Sequence, residues 1–175
     1  MPIQRLNHAV LFVSDVERSV VFYTEVLGFR RIGEMAELKG AAFLQAEGST
    51  NDHDLGLFEI GKAAGPSQAG RATVGLYHLA WEVDTLAELE RIGARLSDAG
   101  ALAGASDHGT TKSLYGKDPD GLEFEIAWIV PADRLDDAAR HARARIGALD
   151  LAGEQKRYGA DTEGGVGISH IPARA

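Results

Sequence analysis

Lys112-Ser-Leu-Tyr115-Gly-Lys-Asp118-Pro119-Asp120-Gly121-Leu-Glu123-Phe-Glu125-Ile-Ala-Trp128 is the segment with the strongest structural signal in the chain. Its Asp-Pro-Asp-Gly portion predicts a turn, because Pro119 fixes φ and Gly121 tolerates a positive φ. The flanking runs of alternating apolar residues therefore form a predicted β-hairpin. On the second strand Glu123 and Glu125 share one face. Such a pair is typical of a solvated strand face, or of a strand that presents carboxylates to a cation.

The composition excludes several classes of function. With 26 acidic and 18 basic side chains, the formal charge of −8 repels nucleic acid, which is not an expected partner. The chain has no cysteine, so a metal site must use His, Asp, Glu or Tyr. Neither a signal-peptide pattern nor an apolar run of membrane-spanning length is present, which predicts a cytoplasmic protein without a membrane partner.

The first module is predicted over residues 4–62. A strand over Leu6–Val13 is followed by a helix that Asp15 caps and Gly28 ends. Three further strands are predicted at Phe29–Ile32, Ala41–Gln45 and Asp54–Ile60. Residues 63–73 have no periodicity and are interpreted as a linker.

The pattern then restarts in a second module, residues 74–130. Leu76-Tyr-His78-Leu-Ala-Trp-Glu-Val83 repeats the placement of Leu, His and Val in Leu6-Asn-His8-Ala-Val-Leu-Phe-Val13. A helix capped by Asp84 or Thr85 runs to Gly100, and strands are predicted at 101–104, 111–117 and 122–130. The predicted fold is α+β, with two tandem β-α-β-β-β modules forming one domain, residues 1–130, as a curved mixed sheet around a metal-binding cleft.

Residues 131–175 are predicted to form a C-terminal tail. A helix is expected over Asp133–Ile146, with acids at its start and arginines near its end, as the helix dipole favours. Residues 158–167 are rich in glycine and are expected to be mobile. His141 and His170 are given no role.

Three residues form a candidate metal site. His8 and His78 are equivalent in the repeat, and Glu125 lies on the last strand of the second module. Two imidazoles and one carboxylate hold non-haem Fe(II) on one octahedral face and leave positions open. The alternative is a pair of core histidines, each hydrogen-bonded to a carbonyl.

The segments that carry these residues resemble the vicinal oxygen chelate superfamily, which includes glyoxalase I, bleomycin-resistance proteins and type I extradiol dioxygenases. The resemblance covers residues 4–130 and implies paired modules around a metal. It is carried by Asn7-His8-Ala-Val-Leu-Phe-Val-Ser-Asp15, Phe22-Tyr23, Leu27-Gly28-Phe29, Tyr77-His78-Leu-Ala-Trp-Glu-Val-Asp84 and Asp118-Pro-Asp-Gly-Leu-Glu-Phe-Glu125.

Three further residues look like the ring-cleaving branch, especially its small one-domain members. His53-Asp-Leu-Gly-Leu resembles the segment whose histidine acts as acid and base beside the O₂ site. Tyr115 falls where that branch keeps a tyrosine that binds the catechol, and His108 resembles its additional histidine. The alternatives without a catalytic role are a turn histidine for His53, a core tyrosine for Tyr115 and a loop histidine for His108. The chain departs from the branch at Asp52, where a second histidine is usual, and at Leu122, where Asn or His often follows Asp-Gly.

The resemblance implies an Fe(II)-dependent extradiol dioxygenase that cleaves a small aromatic diol with O₂, with Mn as another possible metal. One alternative is a glyoxalase-like isomerase with Ni or Zn, which needs a fourth ligand from the first module. The last strands of the two modules share a Phe-Glu-Ile sequence, Phe58–Ile60 and Phe124–Ile126. This echo assigns the fourth ligand to Glu59, whereas the ring-cleaving alignment assigns the position to Leu57. The other alternative is a non-catalytic drug-binding protein. A homodimer is expected, since two-fold dimers are the commonest assemblies.

Overall fold

The computed structural model describes residues 2–3, 5–33, 38–69 and 72–165. The chain divides into two compact units. The first comprises the described residues up to Gln68 together with Asp118–Gly121, and the second comprises Ala69–Lys117 and the residues from Leu122 onward. Each unit contains one four-stranded sheet, which confirms the predicted α+β fold of two β-α-β-β-β modules. None of the helices in the described ranges is long and apolar enough to cross a membrane.

The first unit follows the predicted order of elements. These are β1 (Ala9–Val13), α1 (Val16–Glu25), β2 (Arg30–Arg31), β3 (Ala41–Gln45) and β4 (Leu55–Glu59). The sheet order is β1-β4-β3-β2, with β1 parallel to β4 and the other pairs antiparallel. Asp15 caps α1 as predicted, since its side chain accepts the Arg18 backbone N–H.

The two faces of the first sheet differ in what covers them. Leu11, Val13, Leu55 and Leu57 are buried on the face that packs against α1. Val10 and Phe12 alternate with them and are 49% and 71% exposed. His8 precedes β1, not within the strand as the prediction over Leu6–Val13 had it.

The second unit repeats this arrangement. Its elements are β5 (His78–Glu82), α2 (Leu86–Asp98), β6 (Leu102–Asp107), β7 (Thr111–Lys117) and β8 (Glu123–Ile129), in the sheet order β5-β8-β7-β6. Thr85 caps α2 by accepting the Glu88 N–H. The strand predicted at 101–104 is longer than expected and extends to Asp107, because it pairs with β7 along its length.

The C-terminal tail differs from its prediction. The helix expected over Asp133–Ile146 is wrong in extent: a 3₁₀ turn covers Ala132–Arg134, and α3 covers only Asp137–Ala142. Asp136 provides the cap, and Gly147 pairs with the Asp107 backbone, which a continuing helix would prevent. A helix that the sequence did not predict, α4 (Leu151–Tyr158), follows. Residues 166–175, including His170 and the end of the expected mobile stretch, lie outside the described residues.

The Asp118–Gly121 turn has the predicted glycine conformation and makes several hydrogen bonds within the first unit. Gly121 has φ +80°. Asp120 accepts hydrogen bonds from the Ser14 backbone N–H at 2.9 Å and from the Ser14 hydroxyl at 2.6 Å. The Tyr23 hydroxyl donates to Asp118 Oδ2 at 3.1 Å, and both residues are buried. Asp118 and Asp120 therefore form part of the turn and also hold it in place through their hydrogen bonds to Tyr23 and Ser14.

The hydrogen bond between Tyr23 and Asp118 predicts that the stability of the protein depends on pH. Burial, followed by the charge of Asp118, raises the pKa of the Tyr23 hydroxyl well above its ordinary value. The folded state thus favours the neutral phenol, so its contribution is complete below about pH 10 and is lost as the pH rises above the unfolded pKa. We expect Tyr23→Phe to lower the free energy of unfolding at pH 7 by about 1.5–3 kcal/mol, the usual worth of a hydrogen bond to a charged group. It should also flatten the alkaline loss of stability.

Urea unfolding at pH 7 and at pH 10.5 measures both effects. Tyr77→Phe is the matched control, because Tyr77 is 59% exposed. Parallel pH dependence of the wild type and Tyr23→Phe would contradict the prediction.

Candidate functional site

In the second unit, His78 and Glu125 are in direct contact. His78 opens β5, which lies beside β8, where Glu125 pairs with Ala80. The His78 Nε2 atom lies 3.1 Å from Glu125 Oε2, and the side chains are 24% and 13% exposed. The Ser113 hydroxyl on β7 donates to the other carboxylate oxygen, Oε1, at 2.5 Å. The carboxylate is therefore oriented with one oxygen toward the imidazole.

This pair fits one edge of a metal site. Two bonds of about 2.1 Å at a right angle separate their donor atoms by roughly 3 Å, close to the His78–Glu125 spacing. The His78 Nδ1 atom is buried and has no hydrogen-bond partner in the part of the chain that the structure describes. Nδ1 lies on the other side of the ring from Nε2, so Nε2 is the nitrogen that can share an ion with Glu125. Over residues 2–3, 5–33, 38–69 and 72–165, no three His, Asp or Glu side chains form a metal-binding group.

Tyr115 and His108 form a second contact in the same unit. Tyr115 lies on β7 directly opposite Glu125, and its ring centroid is 5.9 Å from that of His78. His108 Nε2 is 3.0 Å from the Tyr115 hydroxyl. Burial and then the charge of Glu125 raise the pKa of the Tyr115 hydroxyl. The phenol is thus neutral at physiological pH and able to donate a hydrogen bond.

In the first unit, the structure brings His8 and His53 together. Their ring centroids are 4.4 Å apart, and the Phe43 ring lies 5.0 Å from His53 in an edge-to-face arrangement. His53 Nδ1 is 2.9 Å from the Asp52 carboxylate, and His8 Nδ1 is 2.7 Å from the Asn7 side-chain oxygen. Because both partners are acceptors, each Nδ1 donates the hydrogen bond, and in the neutral imidazole this leaves the lone pair on Nε2. Asp52, a departure from the ring-cleaving pattern, therefore provides His53 with a carboxylate partner.

The loop that carries His53 is organised by Asp54. This carboxylate is only 8% exposed and accepts hydrogen bonds from the Ala46 N–H, the Ser49 hydroxyl and the Asn51 amide. The Asn51 amide also donates to the Asn7 carbonyl at 2.7 Å. No sequence pattern predicted this role, although Asp54 belongs to the His53-Asp-Leu-Gly-Leu segment that resembles the ring-cleaving branch. The cluster ties the His53 loop to the residue that precedes His8.

The strand registers decide which residue of the first unit corresponds to Glu125. His78 pairs with Glu123, two residues before Glu125. Ala9 pairs with Leu55, so the same register places His8 opposite Asp54, and Gly56 lies two residues later. Gly56, which has no side chain, is therefore the counterpart of Glu125. Neither the Glu59 assignment nor the Leu57 assignment matches this register.

Glu59 has a different function in the fold. It lies on the same face as Leu55 and Leu57, which pack toward α1, opposite the face that continues from His8. Its Oε2 atom accepts the Val16 backbone N–H at 3.0 Å, at the start of α1. A carboxylate at this position satisfies an otherwise unpaired helix N–H and favours the helix dipole. The Phe-Glu-Ile echo between the modules is thus a sequence similarity without structural equivalence.

Comparisons with known proteins support the resemblance to the superfamily that the sequence segments indicated. Residues 5–126 match the family model described as Glyoxalase/Bleomycin resistance protein/Dioxygenase superfamily. The chain is 33% identical over 134 residues to lactoylglutathione lyase of Escherichia coli O157:H7, covering 70% of this chain and 90% of that protein. It is 30% identical over 121 residues to catechol-2,3-dioxygenase of Bacillus subtilis (strain 168), covering 69% of this chain but 40% of that protein.

A solved structure described as a glyoxylase/bleomycin resistance protein/dioxygenase domain from Frankia sp. EAN1pec has the same fold. It aligns with a TM-score of 0.59 at 22% identity, covering 72% of this chain and 92% of that chain. At this level of identity the similarity concerns the fold alone.

Proposed function

Because the chain belongs to the glyoxalase/bleomycin resistance protein/dioxygenase superfamily, we propose that it is an Fe(II)-dependent extradiol dioxygenase acting on a catechol-type diol. The observation that carries this proposal is Gly56 at the position equivalent to Glu125. The site then has at most one carboxylate ligand from the two equivalent strands. A set of two histidines and one carboxylate leaves positions for both substrate oxygens and for O₂.

The proposed metal ligands are His78, Glu125 and His8. The contact between His78 and Glu125 supports the first two, and Ser113 orients the carboxylate. His8 as the third ligand stays a prediction from the sequence; its Nε2 lone pair has the form that ligation requires. When bound, Fe(II) supplies a centre on which diol and O₂ are held together, and its charge favours the ionised diol.

The other polar residues bind substrate and move protons. Tyr115, whose phenol is neutral at physiological pH, donates a hydrogen bond to a diol oxygen. His108 contacts the same hydroxyl and limits its rotation. His53, with Nδ1 hydrogen-bonded to Asp52, takes up and returns a proton at Nε2, the acid–base role that histidine side chains fill most often in catalysis.

The second candidate is a metal-dependent lyase or isomerase of the glyoxalase type. Its support is the 33% identity to a lactoylglutathione lyase over 90% of that protein's length. This class uses a fourth protein ligand from the first module, together with Ni or Zn. Gly56 cannot supply that ligand, and Glu59 is engaged with the N-terminus of α1. The ligand count therefore favours the dioxygenase.

Anaerobic loading with Fe(II), followed by catechol and 2,3-dihydroxybiphenyl under air, tests the proposal. We expect a yellow ring-fission product from the iron-loaded protein. Protein loaded with Ni or Zn should be assayed in parallel with the methylglyoxal–glutathione hemithioacetal. Isomerisation without ring cleavage would replace the proposal with the lyase, and a lack of binding to any of the metals would favour the non-catalytic binding protein.

A further inference from the structure

The C-terminal segment, residues 131–165, lies beyond the end of the family match at residue 126. It meets the second sheet at Lys112, a lysine whose side chain is 0% exposed. Lys112 Nζ lies 2.6 Å from Asp107 Oδ1 and 2.9 Å from Glu154 Oε2 on α4. A buried ammonium requires compensating charges, and here one carboxylate comes from β6 and the other from the C-terminal segment.

Asp107 links Lys112 to the turn between β6 and β7. The same Oδ1 atom accepts the Gly109 backbone N–H at 2.7 Å. The backbone of Asp107 also exchanges two hydrogen bonds with Gly147, each 2.9 Å long. The C-terminal segment therefore holds Asp107, the residue that starts the turn, in two ways. The Asp107 side chain shares Lys112 with Glu154, and the Asp107 backbone pairs with Gly147.

The turn also packs closely on α3. Gly109 has φ +74°, and a Cβ atom added there would lie 2.3 Å from the Ala139 carbonyl oxygen and 2.8 Å from Ala142 Cβ. Only glycine permits this approach. His108 lies between Asp107 and Gly109, which are both fixed in this way. The His108 ring contacts the Tyr115 hydroxyl.

We propose that the C-terminal segment positions His108 against Tyr115, with Glu154 acting through Lys112 and Asp107. Among the described residues, loss of the Glu154 charge leaves Asp107 as the one carboxylate beside the buried ammonium. Asp107 is then drawn toward Lys112, and the turn that Asp107 holds shifts. Glu154 is a positioning residue, since it touches neither Tyr115 nor the proposed metal ligands. The consequence for catalysis rests on the proposed function, but the placement of His108 does not.

The direct test is the side-chain ¹⁵N NMR signal of His108 in the metal-free full chain. Tyr115→Phe removes the hydroxyl and provides the reference signal for an unengaged imidazole. We expect Glu154→Gln to move the His108 signal toward this reference, Glu154→Asp to restore it partly, and Lys156→Gln, an exposed change on the same helix, to leave it at the wild-type position.

A folded Glu154→Gln protein with an unmoved His108 signal would overturn the proposal, even if its stability were lower. If Glu154→Gln fails to fold, the signal in Glu154→Asp decides in the same way. If neither folds, amide hydrogen exchange of the wild type decides: Asp107, Gly109 and Gly147 exchange together under the proposal, and separate exchange of Gly147 contradicts it.

The activity assay distinguishes this inference from the proposed function. If the protein cleaves catechols, Glu154→Gln should lower kcat/KM by roughly tenfold, in the range for residues that orient a site, mainly through KM. If the wild type cleaves nothing but the His108 signal still moves in Glu154→Gln, the positioning role stands and the proposed reaction fails.

Discussion

His78→Ala is expected to abolish both Fe(II) binding and ring cleavage. The His78 imidazole is in contact with Glu125, so its removal takes away one proposed metal donor and, among the described residues, leaves the carboxylate with the hydrogen bond from Ser113. We expect a loss of kcat/KM well beyond the roughly 100-fold that the loss of an outer partner can cost. Iron content after anaerobic loading and desalting, measured beside the initial rate with catechol, gives both quantities.

Two variants make this result interpretable. His141→Ala removes an exposed histidine whose ring contacts the Asp137 carbonyl in α3, and it should keep full iron content and activity. Ser113→Ala removes the hydrogen bond to Glu125 Oε1 and should have an intermediate effect. Full iron binding by His78→Ala would show that the His78–Glu125 contact is an ordinary hydrogen bond.

Local signals in the sequence predicted most of the fold. The Asp118–Gly121 turn and the Asp15 and Thr85 caps depend on few residues and on fixed offsets, so they are visible without tertiary information. The repeat then placed His8 and His78 at equivalent positions. The contact of His78 with Glu125 follows from the parallel pairing of β5 with β8.

The features that the sequence did not predict depend on tertiary contacts. Helix α4 is short and polar, and the contacts that hold it include the Lys112–Glu154 ion pair and the packing of Tyr158 on Trp128, with ring centroids 5.6 Å apart. Ser113 is one serine in a strand, and only strand pairing shows that it meets Glu125. The Glu59 alignment failed because a matching tripeptide need not keep its register in the two sheets.

Gly56→Glu is expected to change the chemistry of the site. By repeat equivalence the new carboxylate occupies the position that corresponds to Glu125, which converts a three-ligand set into a four-ligand set. A fourth protein ligand removes a position that O₂ and the diol need, so ring cleavage should fall by more than about 100-fold. Affinity for Ni(II) or Zn(II) relative to Fe(II) should rise, which competition between the metals and a chromogenic chelator measures.

Two controls separate ligand chemistry from folding. Gly56→Ala should fold and remain active, because a Cβ atom at this position would meet Val10 Cγ2 at 3.4 Å and the Phe43 ring at 3.5 Å, which are ordinary contacts. Glu59→Ala should leave ring cleavage unchanged and lower the free energy of unfolding by about 1 kcal/mol, as expected for loss of a helix cap. If Glu59→Ala instead abolished metal binding while Gly56→Glu kept the wild-type activity, the register argument would be wrong and the four-ligand lyase would be the better assignment.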